Sequence, residues 1–261
     1  MPSPLSTRER LLAASVVILC LAALLLPALP QDQAYHHFAD ARTLFGIPRA
    51  LDTLSNLAFV IAGLWGLNAM RGRRLVFFSP ALELGALVFF AGFVLTGLGS
   101  AYYHRAPDDL GLALDRFGMV VVFAGTLGMA AAQRVSERAG LWLLAIALVL
   151  GPLSLFAWLA SGSVTPYAVM QFGGIALLLS LLFQPARGPG PNWAALVGAY
   201  ALAKLCEAAD AQIFELSGHL VSGHTLKHLS AALAALAVTQ ALRLPATHEV
   251  RASVPSPNAG E

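Results

Sequence analysis

Charge is what this sequence has least of. Asp, Glu, Lys and Arg make up 11% of its 261 residues, 57% are hydrophobic, and the mean hydropathy is +0.70. The surface of a soluble domain draws on roughly 25% charged residues. This chain cannot clothe such a surface, so its surface must face lipid. The arginines are scattered through short segments rather than gathered in the basic stripe that nucleic-acid binding needs, which excludes that class of partner. Cysteine is scarce as well. Cys20 and Cys206 each sit inside an apolar run and read as small buried hydrophobes. With thiolates set aside, any metal must be held by histidine and carboxylate.

What the chain does have is long apolar runs. The first, Leu11 to Leu29, follows Arg8 and Arg10 and has 19 residues. That exceeds the 7–15 of a signal-peptide core and approaches the ~20 needed to span a bilayer. It reads as a retained helix, with a cleaved signal as the alternative, and residues 1–32 form an N-terminal segment of their own. Seven further runs follow near Thr53–Met70, Ala81–His104, Leu110–Gln133, Leu141–Ser161, Thr165–Phe183, Trp193–Asp210 and Ser222–Leu242. Only a backbone that satisfies its own hydrogen bonds can cross lipid, so each is expected to be a helix. The expected fold is therefore all-α, a polytopic transmembrane bundle with a seven-helix core (33–244) plus one extra N-terminal helix. The polar, proline-containing tail 245–261 is expected to be disordered.

Eight spans put both termini on one side. With the N-terminus inside, the inner segments hold Arg8, Arg10, Arg71, Arg73, Arg74, Arg134, Arg138, Arg187, Arg243 and Arg251. The outer segments hold only Arg42, Arg49 and Arg105. This is the asymmetry the positive-inside rule expects. Short loops and an Ala/Leu/Arg-rich composition point to a bacterial inner membrane, termini cytoplasmic. The stretch from Gln31 to Ala50 becomes an outer loop lying along the membrane surface.

Ionisable residues inside a membrane are costly and are functional candidates by default. Here they are His104, Asp115, Arg116, Lys204, Glu207, Asp210, His224, Lys227 and His228, and the topology puts nearly all of them at the outer ends of their helices. His224 and His228 are spaced i,i+4, which places two imidazoles on one helix face, as in the His-x3-His of metalloprotease helices. The same spacing also suits a hydrogen-bonded pair or a headgroup contact. Ser100 and His104 share a face at i,i+4, and Asp115 returns towards them across the short turn that follows Arg105. Three histidines leave one zinc position open for water, whose pKa falls towards ~7. A carboxylate can accept its proton and pass it to a leaving amine. A hydroxyl can stabilise an oxyanion. The set suits metal-assisted hydrolysis.

Ser-x3-His, an Asp eleven residues on and a late His-x3-His resemble the alkaline ceramidases, a family of seven-helix membrane hydrolases. Asp52-Thr-Leu-Ser55-Asn56 is similar to the motif of that family's first helix, and the resemblance covers roughly residues 50–240. It implies that His104, His224 and His228 bind Zn2+, that Asp115 orients or deprotonates the water, and that Ser100 assists at the carbonyl. The implied reaction is hydrolysis of an N-acyl sphingoid lipid, a membrane lipid substrate, to fatty acid and amine. Two departures stand out. Asp32, Asp40 and Asp52 do not reproduce the family's acidic calcium cluster, so no calcium is expected. Lys227 stands where the family often has Trp, so the substrate need not be a ceramide.

Other polar residues carry blander readings. Ser55 and Asn56 either line the site or bond helix to helix. Lys204 and Glu207 read as a structural ion pair. His36 and His37 read as interfacial residues of the outer loop, with capping of the site as the alternative. His219 lies off the i,i+4 face. His248 carries no role, and Phe77, Phe78, Tyr102, Tyr103 and Trp193 suit an interfacial belt. Two rival functions remain: a receptor or transporter with a structural metal, and a di-haem carrier, which would need facing histidine pairs on two helices.

Overall fold

The computed structural model describes residues 3–72, 77 and 79–240. Arg73, Arg74, Phe78, Arg243, His248, Arg251 and the tail 245–261 lie outside the described residues. The chain is all-α. Its helices are α1 (Thr7–Leu25), α2 (Ala50–Arg71), α3 (Pro80–Arg105), α4 (Asp109–Arg134), α5 (Glu137–Ser161), α6 (Thr165–Leu182), α7 (Trp193–Ala208), α8 (Asp210–Leu216), α9 (Gly223–Ala232) and α10 (Ala234–Gln240). Among the described residues each of the eight apolar runs is helical over most of its length, the first only as far as Leu25. Five of the helices, α2 to α6, are long and apolar enough to cross a membrane, which makes this a membrane protein.

The other three runs depart from that length and composition for visible reasons. Helix α1 starts at Thr7, earlier than its apolar run, and so takes Arg8, Glu9 and Arg10 into its first turns. The seventh run forms α7 over Trp193–Ala208, 16 residues long, and α8 follows past its end. The eighth breaks at Leu233 into α9 and α10.

Local chemistry sets the helix starts. Ser79, Asp108, Ser136, Asn192 and Ser222 each cap a helix, the side-chain oxygen accepting from a backbone N–H of the first turn. Ser6 and Glu9 form a reciprocal capping box on α1.

Helix α4 is the centre of the bundle and is buried along most of its length, packed between α3 and α5. Its glycines make that possible. A Cβ on Gly118 would come within 2.2 Å of the Thr96 backbone, and one on Gly125 within 2.6 Å of Phe89. From the α3 side, a Cβ on Gly99 would meet the Leu114 carbonyl at 2.3 Å. Small residues let helix backbones approach closely where lipid supplies no hydrophobic drive between helices. The Gly99–Leu114 contact lies beside Ser100 and Asp115 and holds those two residues to one crossing point.

Helix α1 is joined to the bundle by a buried carboxylate. Glu9, 3% exposed, receives Arg138 at 2.8 Å and Ser136 Oγ at 2.6 Å. After α1, the Leu29 carbonyl accepts from the Val164 N–H, and the Leu29 N–H donates to the Ser163 and Thr165 hydroxyls of the α5–α6 turn. Arg138→Ala leaves the carboxylate with its serines alone. Unmade bonds to a buried acceptor cost about 1–3 kcal/mol, and Arg138 is itself partly exposed. The expected loss is therefore about 1–2 kcal/mol, read as a lowered Tm of the detergent-solubilised protein, and Glu9→Gln in the same background should recover part of it.

Candidate metal centre

His104 lies in the last turn of α3, and His224 and His228 in the first turns of α9. The structure brings the three together. One ring nitrogen from each lies within 4.8 Å of the others, and the ring centroids are 4.7 to 5.1 Å apart. All three are buried, His104 completely.

Both ring nitrogens of His104 and the Nε2 atoms of His224 and His228 are buried without a hydrogen-bond partner among the described residues. Buried polar atoms are rarely left unpaired, and a cluster of such atoms points to a missing ion or water. Three converging imidazoles with free nitrogens are a donor set that can hold a metal ion.

The surroundings orient this set. His228 Nδ1 lies 2.7 Å from Ser55 Oγ, and Ser55 Oγ donates to the Asp52 carbonyl at 3.0 Å. With its hydrogen committed to that carbonyl, Ser55 accepts from Nδ1–H. The proton is then fixed on Nδ1, and the Nε2 lone pair faces the cluster. Metal-bound histidines are commonly fixed in this way. Ser55→Ala should weaken metal affinity by about 10–100-fold, measured by chelator competition, with the helix content unchanged.

The start of α9 is held by carboxylates. Asp52, fully buried, accepts from Ser222 Oγ at 2.8 Å and Thr225 Oγ1 at 2.6 Å. Asp210 accepts the His224 backbone N–H at 2.7 Å and the Ala39 N–H at 3.1 Å. Arg49 binds the carbonyls of His104 and Arg105 at 2.5 and 2.9 Å, closing the end of α3. Asn56 bonds locally to the carbonyls of Asp52 and Thr53 rather than reaching the histidines.

The loop between α1 and α2 folds over the centre. Phe38 packs edge-on against His104 at 4.6 Å and against His224 at 4.8 Å. The cap is therefore Phe38, while His36 bonds to Tyr103 Oη at 2.9 Å and Asp109 at 3.1 Å, and His37 is exposed. Asp40 and Arg42 pin the same loop, with the guanidinium 2.6 Å from the carboxylate. Burial opposes ionisation of Asp40, but the Arg42 side chain and backbone N–H outweigh it and hold its pKa below the ordinary value. That pair's contribution to stability is full above the ordinary aspartate pKa of about 3.9 and disappears as pH falls from there through the lowered value. His219 pairs with exposed Glu215 away from the centre.

Ser100, Asp115 and His228 line one cavity of about 180 Å³. Beyond them it is walled by apolar side chains, among them Phe59, Phe93, Phe123, Leu178 and Val197. Arg116 also faces it, held by Gln31 at 2.9 Å and stacked over Tyr35, Trp158 and Tyr167. Helix α6 contributes through a π-helical turn at Val169–Gly173, where Gln171 reaches Tyr200 Oη at 3.2 Å. Lys204 and Glu207 do pair, and Lys227 joins them at 3.2 Å. Glu207 Oε1 also accepts from Tyr35 Oη at 3.2 Å.

Reading the sequence alone missed the roles of Phe38, Asp210, Ser222 and Thr225. Asp210 was visible as an intramembrane ionisable residue and Ser222 only as the start of the eighth run. Phe38 carries no local signal at all. No family model matches the chain, and no curated protein matches it.

Proposed function

We propose that this protein is a membrane-embedded zinc-dependent amidohydrolase that cleaves the N-acyl bond of a ceramide-like lipid. The observation that carries the reading is the set of three buried imidazoles with unpartnered nitrogens, one of which, His228, lines an apolar cavity together with Asp115 and Ser100. All-histidine sites with an open position suit zinc. The order and spacing of the motifs, which resemble the alkaline ceramidases, support the same chemistry. The arginine asymmetry supports inward termini and a centre near the outer face.

When bound, zinc supplies Lewis acidity at the scissile carbonyl and a water acidic enough to attack near neutral pH. The protein's own groups do the rest. The apolar walls take the acyl chain and present the carbonyl to the polar end, where Ser100 donates to the carbonyl oxygen as negative charge develops on it. Asp115 accepts a proton from the attacking water and returns it to the leaving nitrogen. The water oxygen bonds to the carbonyl carbon, the C–N bond breaks, and the products are a fatty acid and a free amine. Phe38 keeps bulk water off the imidazoles.

The test is a screen of lipid amides and esters against the purified protein, scored by fatty-acid release, beside metal analysis of the same sample. Release from amides that stops on chelation and returns with zinc supports the reading. A stoichiometric metal with no turnover of any amide or ester would replace it with a receptor or transporter carrying a structural ion.

A further inference from the structure

The cavity carries more positive charge than its own residues neutralise. Three cationic side chains, Arg116, Lys204 and Lys227, and two carboxylates, Asp115 and Glu207, line it. Arg116 is already engaged by Gln31 and three aromatic faces. Lys204 and Lys227 share one carboxylate, Glu207, whose Oε1 also accepts from Tyr35. The Lys227 and Glu207 side chains are only 16% and 17% exposed. Among the described residues, Lys227 Nζ has Glu207 as its one hydrogen-bond partner, although an ammonium has three N–H bonds to give.

Lys227 precedes His228, and both face the cavity. A desolvated cation with unmade hydrogen bonds is costly unless an anion completes it. A neutral hydroxylated headgroup would leave that cost in place. We propose that Lys227 selects lipid amides bearing an anionic group, a carboxylate or phosphate, within a few bonds of the scissile nitrogen. The inference rests on the amidohydrolase reading for the position of the amide. The anion itself is recognised by the Lys227–Glu207–Lys204 cluster.

Three acyl-matched ligands separate the possibilities: N-palmitoylglycine, N-palmitoylphosphoethanolamine and neutral N-palmitoylethanolamine. Their dissociation constants are measured by calorimetry on the full detergent-solubilised chain, with fatty-acid release recorded in parallel. The expected result is at least one anionic ligand bound about tenfold more tightly than the neutral one, as charge-assisted hydrogen bonds require. If only one anion gains, the inference stands and that anion is named. Lys227→Met should remove the difference and Lys227→Arg should keep it. Glu207→Gln should widen it, because both lysines then lose their internal counter-charge, so the inference remains testable even if Lys227→Met folds poorly.

Equal affinities for the three ligands, or a preference that survives Lys227→Met, would overturn it. The two readings fail separately. A Lys227-dependent preference without hydrolysis of any ligand sinks the amidohydrolase and leaves the anion site. Hydrolysis of all three at matched affinities does the reverse.

Discussion

Replacing His104 with alanine should strip the metal from the protein and end fatty-acid release with it. His104 is fully buried at the end of α3, and neither ring nitrogen has a partner among the described residues. It is the one member of the triad that α9 does not supply, so its loss leaves only the i,i+4 pair. Removing an outer-shell partner of a metal ligand costs about 10–100-fold in affinity, and removing a ligand should exceed that. The check is elemental analysis of wild type and variant after identical purification, followed by zinc titration. His104→Gln keeps most of the side-chain volume and separates metal loss from a packing defect. If either variant retains a full equivalent of tightly held ion, the three-histidine centre is wrong.

Asp115→Asn should lower kcat for amide hydrolysis by about 10²–10⁴-fold, the usual contribution of a positioned general acid–base group. It should leave the metal content intact. The substitution preserves shape and hydrogen bonding but cannot accept the proton from water. Asp115 lies outside the histidine triad and shares the cavity with Ser100 and His228, which is why metal and rate should separate. A variant that changes KM alone, with kcat preserved, would place Asp115 in substrate binding instead. Ser100→Ala removes one donor to the carbonyl oxygen and should cost about 10²–10³-fold in kcat, as loss of an oxyanion donor does.

The all-α fold and the eight helical runs were legible because lipid leaves the backbone no alternative: apolar runs of that length must satisfy their own hydrogen bonds. The His224–His228 pair was legible because i,i+4 spacing is a local property, and the approach of Asp115 to His104 because two helices joined by a short turn must pack together. That His104 joins the pair rested on the expected common membrane depth and on the resemblance to the alkaline ceramidases. Local signals could not show that the last run breaks at Leu233. Helix continuity there depends on what packs across from it, and apolar composition runs through the break.

Ser55 shows where the boundary falls. Its chemistry allowed a place in the site or a bond between helices, and only the fold decided that it holds Nδ1 of His228 from 173 residues away. Phe38 marks the far side of that boundary. An ordinary aromatic in the loop between α1 and α2, it caps His104 and His224 because Asp210 and Arg42 anchor the chain around it. Membrane insertion, helical state and the ligand types follow from composition and spacing, which act over a few turns of helix. Which nitrogens converge, what covers them and which charges share the cavity depend on contacts between segments far apart in the chain, and those exist only once the bundle has packed.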